Sequence, residues 1–168
     1  MANNPRRVYW DACTWIALIQ REKIVIGGSD RDTLCRAVIA EAKKDKIEIL
    51  TSTLSLVEVC KDPKIRTSKE DEIGAYFESD YILLMNLDRL VGEHARQLMA
   101  VGHAGLKPPD AVHVASAVLG QASELHTFDD KLLKLDGEVS RLDGGKLRIC
   151  TPDVGGAPPP LLSGMQNP

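Results

Sequence analysis

The sequence contains no apolar run near the roughly 20 residues that a membrane-spanning helix needs, and its polar N-terminus is not typical of a signal peptide. It also lacks an excess of positive charge, since 21 Lys and Arg stand against 24 Asp and Glu, a net charge of −3. Blanket attraction to nucleic acid is therefore excluded, and a polyanionic substrate would need local basic residues or bound cations. These absences predict a cytoplasmic protein with no membrane partner.

Cysteine is scarce and scattered. The four cysteines are Cys13, Cys35, Cys60 and Cys150. They form no CxxC pair and no His spacing typical of zinc, so we expect reduced and mostly buried thiols. The sequence also has no internal repeat of 20 to 50 residues. Its 168 residues therefore predict one domain with a core of its own.

Short β-prone runs alternate with helical patterns along the chain. The β-prone runs lie at residues 7–10, 47–50, 81–87, 124–128 and 146–151. This alternation predicts an α/β fold, with a mostly parallel central sheet and helices on both faces. Residues 61–67 predict a basic loop. From residue 152 the sequence turns to glycine and proline, which predicts one domain over 1–151 and a flexible tail over 152–168.

Four acidic residues fall near strand ends or helix starts of this predicted fold. They are Asp11, Glu58, Asp110 and Asp129. Each alone could be a helix cap or a solvated side chain, but the carboxyl ends of parallel strands gather at one edge of a sheet. Clustered carboxylates repel one another unless cations intervene, and hard divalent ions prefer oxygen ligands. The pattern predicts a site where Mg²⁺ or Mn²⁺ would act on a phosphodiester.

Four segments resemble the motifs of the PIN-domain nucleases in order and approximate spacing. They are residues 8–12, 53–59, 109–117 and 127–129. The resemblance covers about residues 6–151 and implies a PIN-like three-layer fold. It also implies that Asp11, Glu58, Asp110 and Asp129 bind the metal and are catalytic.

The same resemblance implies a function and partners. PIN-domain nucleases usually cut RNA with Mg²⁺ or Mn²⁺, which implies a divalent-metal-dependent endoribonuclease. Many small bacterial members are VapC-type toxins restrained by an antitoxin protein, and a homodimer is the family expectation. Asp129 competes with Asp130 for the position of the fourth acid, and the register favours Asp129.

Residues beside the acids are candidates for substrate contact. Thr14 could take the place of the small hydroxyl or amide residue that the family has near the first Asp. Three basic residues could form a phosphate-contacting rim instead of a solvated loop. They are Lys61, Lys64 and Arg66. His113 follows Asp110 by three residues on the same helical face and is better explained by packing than by substrate contact.

Two rival functions stay open from the sequence. One is a catalytically silent PIN-fold module that binds RNA or a protein, motivated by departures from the family pattern at Cys13 and Lys131. The other is an aspartyl-phosphate enzyme built on Asp11, which would want a second Asp where the chain has Cys13. For the nuclease, relief of carboxylate repulsion predicts that Asp11→Asn removes activity and slightly raises metal-free stability.

Overall fold

A parallel sheet of five strands forms the centre of the chain. A computed structural model describes residues 4–68, 70–103 and 105–155. In chain order the strands are β1 (Arg6–Trp10), β2 (Val25–Ile26), β3 (Ser29–Asp30), β4 (Ile47–Ser52), β5 (Ile82–Met85), β6 (Glu124–His126) and β7 (Arg148–Cys150). The main sheet has the order β5-β4-β1-β6-β7, and all its neighbours pair in parallel. The remaining strands, β2 and β3, form a separate antiparallel hairpin.

Helices cover both faces of this sheet. They are α1 (Ala12–Ile19), α2 (Arg31–Ala42), α3 (Leu54–Glu58), α4 (Pro63–Ser68), α5 (Glu70–Phe77), α6 (Arg89–Ala100), α7 (Pro108–Leu119) and α8 (Asp130–Leu133), with a 3₁₀ turn at Val59–Lys61. Buried side chains of α1, α2 and α5 pack on one face, those of α7 and α8 pack on the other, and α6 packs against α7. The predicted three-layer α/β fold is confirmed.

Strand β1 fixes the centre of the core because its side chains alternate between the two faces. Val8 and Trp10 join the cluster under α1 and α2, and Tyr9 joins the cluster under α7. Trp10 and Trp15 are fully buried and meet edge to face at 4.8 Å. The indole N–H of Trp15 donates to Thr51 Oγ1 at 3.1 Å, so its polar atom is also satisfied. This packing holds the end of β1 in a fixed place.

The predicted basic loop at residues 61–67 is wrong, because the 3₁₀ turn and α4 occupy it. Pro63 begins α4, where its missing N–H breaks no helical hydrogen bond. Ile65 is fully buried in the main core and anchors this short helix. Ile65 is the one buried side chain among residues 61–66, which is too weak a pattern to show helical periodicity, so the segment resembles a loop in the sequence.

The hairpin β2–β3 was also not predicted, since two-residue strands carry no alternation pattern. Its turn is formed by Gly27 and Gly28, whose φ values of +56° and +95° lie in the left-handed region. Such a two-residue turn favours glycine. The predicted strand at 47–50 is confirmed but extends to Ser52, where the Thr51 hydroxyl donates to the Trp10 carbonyl at 2.8 Å.

The chain stays attached to the domain beyond β7. Pro152 is buried, and Asp153 Oδ2 lies 3.1 Å from Arg148 Nη2. Arg6 Nη2 donates to the Asp153 carbonyl at 2.5 Å. Pro152 and Asp153 therefore pack on the domain, and the division of the chain at 151 stays a prediction. The rest of the predicted tail, residues 156–168, lies outside the described residues. None of the helices in the described ranges is long and apolar enough to cross a membrane.

Candidate active site

The carboxyl ends of β1 and β6 lie side by side and bring two predicted acids close together. Trp10 of β1 pairs with His126 of β6. Asp11 follows directly as the N-cap of α1, and Asp129 is the N-cap of α8. The Thr127 hydroxyl joins the two, since it donates to Asp11 Oδ2 at 2.6 Å and accepts from the Asp129 N–H at 3.0 Å.

Asp11 is buried and surrounded by hydrogen-bond donors. Its Oδ1 accepts from the N–H of Thr14 at 3.0 Å and from the Thr14 hydroxyl at 2.9 Å. The Cys13 Sγ lies 3.0 and 3.1 Å from the two carboxylate oxygens. Burial raises the pKa of Cys13, and the charge of Asp11 raises it further, so position 13 supplies a thiol donor. These bonds hold the carboxylate in one orientation.

The predicted substrate contact of Thr14 needs correction. Thr14 is fully buried, and among the described residues its hydroxyl forms hydrogen bonds only with Asp11 Oδ1 and the His126 carbonyl. A side chain in that position cannot reach a substrate. The structure therefore gives Thr14 the role of positioning Asp11.

The other three predicted acids line one cleft above this strand end. Glu58, Asp110 and Asp129 share a cleft of about 230 Å³ with three lysines. The lysines are Lys61, Lys107 and Lys131. Asp11 does not line the cleft, but the Thr127 hydroxyl contacts both its Oδ2 and the Asp129 N–H. The topology thus gathers all four acids at one edge of the sheet, three around the cleft and one connected to it through Thr127.

Glu58 belongs to α3, which starts two residues after β4, and it is buried among polar partners. Its Oε1 lies 2.6 Å from Lys61 Nζ, and its Oε2 lies 2.5 Å from His113 Nε2. Burial raises the pKa of Glu58, but the hydrogen bonds and charges of His113 and Lys61 outweigh it and lower the pKa from 4.5 to about 2. The carboxylate is therefore ionised at neutral pH.

The surroundings of Asp110 raise its pKa, whereas those of Glu58 lower the pKa of that residue. It lies in the first turn of α7, after Pro108 and Pro109, and its Oδ2 accepts from the Lys107 N–H at 3.3 Å. Burial raises the pKa of Asp110, and the negative charges of Asp129 and Glu58 raise it further. A nearby cation would stabilise the ionised form of Asp110.

Asp129 also lines the cleft. Its Oδ1 accepts from the Lys131 N–H at 2.8 Å. Within the described part of the chain, Asp129 Oδ2 and Asp110 Oδ1 accept no hydrogen bond. The adjacent Asp130 is exposed and does not line the cleft. This placement supports Asp129 over Asp130 as the fourth acid.

The cationic residues around the cleft differ from those predicted. Lys61 lines it, but Lys64 and Arg66 lie on α4 outside the lining, and Arg66 Nε donates to the Cys60 carbonyl at 3.3 Å. Lys107 and Lys131 were not predicted. Their proximity in sequence to Asp110 and Asp129 is the signal that could have identified them.

A different group of possible metal ligands lies elsewhere on the sheet. Among the described residues, only Glu124, His126 and Cys150 bring three ligand atoms within 4.8 Å of one another. The indole N–H of Trp10 donates to His126 Nδ1 at 3.1 Å. The proton of the neutral His126 ring is therefore on Nε2, which lies 3.0 Å from Glu124 Oε2. Arg6 and Arg148 also pair with Glu124. A protonated Nε2 beside two guanidinium groups does not fit a cation site.

Comparison with models of known protein families identifies the family of the chain. The family model for the PIN domain matches residues 8–138 of the chain. The chain belongs to the PIN-domain family. The matched range contains all four acids, Asp11, Glu58, Asp110 and Asp129. PIN-domain proteins are nucleases, which places the chain among the hydrolases in general, and the predicted resemblance is confirmed.

A solved PIN-domain structure shows the same fold. The crystal structure of the VapC20 toxin of Mycobacterium tuberculosis, described as cleaving the sarcin–ricin loop, matches with a TM-score of 0.55. The two chains are 17% identical, and the match covers 73% of this chain and 90% of that one. No curated protein sequence matches the chain. At this identity the similarity establishes the PIN fold of the chain.

Proposed function

We propose that the chain is a divalent-metal-dependent endoribonuclease that hydrolyses RNA phosphodiester bonds. The supporting observation is that Glu58, Asp110 and Asp129 line one lysine-rimmed cleft at the carboxyl edge of the sheet. Asp11 completes the set through its contact with Thr127. Carboxylates at this edge can hold cations, and lysines around them can hold the phosphates on either side of the bond that is cut.

The donor set fits Mg²⁺ or Mn²⁺. All four acids offer oxygen, and Asp110 and Asp129 each keep one oxygen free of hydrogen bonds from described residues. Burial, and then the charges of Asp129 and Glu58, disfavour the ionised form of Asp110, and a bound cation would offset both. We propose that Asp11, Glu58, Asp110 and Asp129 hold the metal. When bound, it supplies positive charge to the phosphodiester and lowers the pKa of water.

The chain's own residues supply orientation. Thr14 and Thr127 hold Asp11, and the Lys131 N–H holds Asp129 through the cap of α8. We propose Lys61, Lys107 and Lys131 as the residues that contact RNA phosphates. Their positive charge is local, which reconciles a polyanionic substrate with a net charge of −3.

The first prediction concerns metal dependence. Purified protein is expected to cleave RNA with Mn²⁺ or Mg²⁺, to lose all cleavage in excess EDTA, and to regain it when the metal is restored. Gel analysis of labelled RNA measures this, with Asp110→Asn as the control for a contaminating nuclease. Cleavage that survives EDTA would contradict a metal mechanism. RNA binding without cleavage at any metal concentration would instead favour the catalytically silent module.

The second prediction concerns the lysine rim. Changing Lys107 and Lys131 to Gln is expected to weaken RNA binding and to reduce its dependence on salt. Each lost phosphate contact lowers the slope of log K against log salt by about 0.7 for a single strand, so the double variant loses about 1.4. The matched control is the double change of Lys43 and Lys44 to Gln, which removes the same charge beyond the end of α2. Equal slopes for the two double variants would contradict this assignment.

We extend the proposal to partners. The match to a toxin structure supports a VapC-type toxin role. From the family resemblance alone, we also propose that an antitoxin protein inhibits the nuclease and that two copies of the chain form a homodimer. Growth arrest on induced expression, absent for Asp110→Asn, tests the toxin role. Light scattering of the purified chain measures the number of copies, and a monomer at micromolar concentration would contradict the homodimer.

A further inference from the structure

A buried chain of hydrogen bonds leads from the sheet to one carboxylate of the cleft. The Ser52 N–H donates to Tyr9 Oη at 3.1 Å, and Tyr9 Oη lies 2.7 Å from His113 Nδ1. His113 Nε2 then lies 2.5 Å from Glu58 Oε2. Tyr9, His113 and Glu58 are 0, 3 and 7% exposed. These buried hydrogen bonds therefore connect β1, β4, α7 and α3.

The directions of the hydrogen bonds in this network follow from the groups at its two ends. Burial raises the pKa of Tyr9, so its hydroxyl stays protonated. Tyr9 Oη accepts from the Ser52 N–H and forms a second hydrogen bond with His113 Nδ1. Because an ionised carboxylate can only accept, His113 Nε2 carries a proton and donates it to Glu58 Oε2. Tyr9 Oη and both ring nitrogens of His113 thus have defined hydrogen-bond partners.

The two oxygens of Glu58 are held in different ways. His113 contacts Oε2 from the buried side, at the end of this hydrogen-bond network. Lys61 contacts Oε1, but its side chain is 66% exposed, so this contact exchanges with solvent and ions at little cost. His113 thereby determines which oxygen Glu58 presents to the cleft.

We propose that His113, held by Tyr9, is a positioning residue that fixes the Glu58 carboxylate with Oε1 directed to the metal and RNA in the cleft. This inference rests on the proposed function and names a determinant of its metal affinity. Groups that orient a metal ligand commonly change metal affinity by about 10–100-fold when they are lost.

Two substitutions of nearly equal size separate positioning from packing. His113→Gln keeps an N–H donor near the place of Nε2, facing Glu58, whereas His113→Asn keeps polar atoms only near Nδ1, facing Tyr9. We expect His113→Asn to weaken Mn²⁺ binding about tenfold in calorimetry without RNA, and His113→Gln to stay within about threefold of the parent. In cleavage assays at fixed Mn²⁺, kcat should fall for His113→Asn while KM for RNA changes less than about twofold.

Three controls complete the experiment. Melting temperatures in EDTA report the folding of each variant, and Tyr9→Phe gives a second route to the same effect if His113→Asn does not fold. In the Glu58→Gln background, His113→Asn should have no further effect on Mn²⁺ affinity. Glu124→Gln breaks the other buried His–Glu pair, on the opposite face of the sheet, and should lower stability without changing Mn²⁺ affinity.

The outcomes distinguish this proposal from the proposed function. If the parent binds Mn²⁺ and cleaves RNA but His113→Asn binds Mn²⁺ as the parent does, His113 is a packing residue and the proposal is overturned. Equal losses for His113→Asn and His113→Gln overturn it as well. If the parent itself neither binds Mn²⁺ nor cleaves RNA, the proposed function fails and the positioning role fails with it.

Discussion

Asp110→Asn is expected to reduce metal-dependent RNA cleavage by on the order of a thousandfold and to raise the melting temperature of the metal-free protein. The loss follows because a metal ion contributes several kcal/mol to the transition state, and each 1.4 kcal/mol corresponds to a factor of ten in rate. The gain in stability follows because Asn removes one charge from a group of three carboxylates while keeping the shape of the side chain.

The gain should depend on pH in a defined direction. Folding raises the pKa of Asp110, so its charge destabilises the metal-free parent above that pKa, and the penalty disappears as the pH falls toward the ordinary value of 3.8. The difference in melting temperature between Asp110→Asn and the parent should therefore be largest at neutral pH and shrink on acidification. Scanning calorimetry in EDTA from pH 7 to pH 4 measures it.

The matched control for this prediction is Asp130→Asn. Asp130 is exposed and lies outside the cleft, so its substitution should leave both cleavage and stability close to those of the parent. A thousandfold loss at Asp130 together with full activity of Asp129→Asn would reverse the assignment of the fourth acid. A lower melting temperature for metal-free Asp110→Asn would show that repulsion does not dominate at this position.

Asp11→Asn should also abolish cleavage, but it should lower stability by about 1–3 kcal/mol. The expectation from the sequence, a slight rise in stability, is wrong about the environment, because the groups that contact Asp11 are donors. Thr14 satisfies one oxygen and Thr127 donates to the other at 2.6 Å. The amide of Asn would direct an N–H₂ group at one of these donors and leave a buried donor without an acceptor.

Asp88→Asn is the matched control for position 11. Asp88 is the N-cap of α6 and accepts from the Val91 N–H at 3.0 Å. Unlike Asp11, it is exposed, and it does not line the cleft. Asn and Asp are nearly equivalent N-caps, so this change should alter the free energy of unfolding by only a few tenths of a kcal/mol. Urea unfolding of both variants measures the difference. Equal stabilities would mean that the donors around Asp11 reorient freely to accept from an amide.

The fold and the location of the four acids at one edge of the sheet were predictable because their signals are local. The double proline marks the start of α7 beside Asp110, and alternation marks the strand before Asp11. The partners of these acids were not predictable in the same way. Thr127 meets Asp11 across 116 positions, and His113 meets Glu58 across 55, so only the pairing of strands and helices reveals them.

The lysines show a second limit. Composition favours a search for dense basic runs, and residues 61–66 stand out because three of their members are cationic. The rim is instead assembled from single lysines on three separate segments, after α3, before α7 and in α8. A cationic surface that forms only when distant segments fold together cannot be recognised from the local density of charged residues in the sequence.

The central position of β1 also sets when activity can first arise during synthesis. β1 is made first, yet one of its neighbours is β6, and Asp11 lacks its Thr127 partner until 116 further positions have been translated. At about 5–20 residues per second this takes roughly 6–23 s, before the added delay of the exit tunnel. A nascent chain on the ribosome, itself an RNA machine, therefore has no assembled cleft while its N-terminal half emerges.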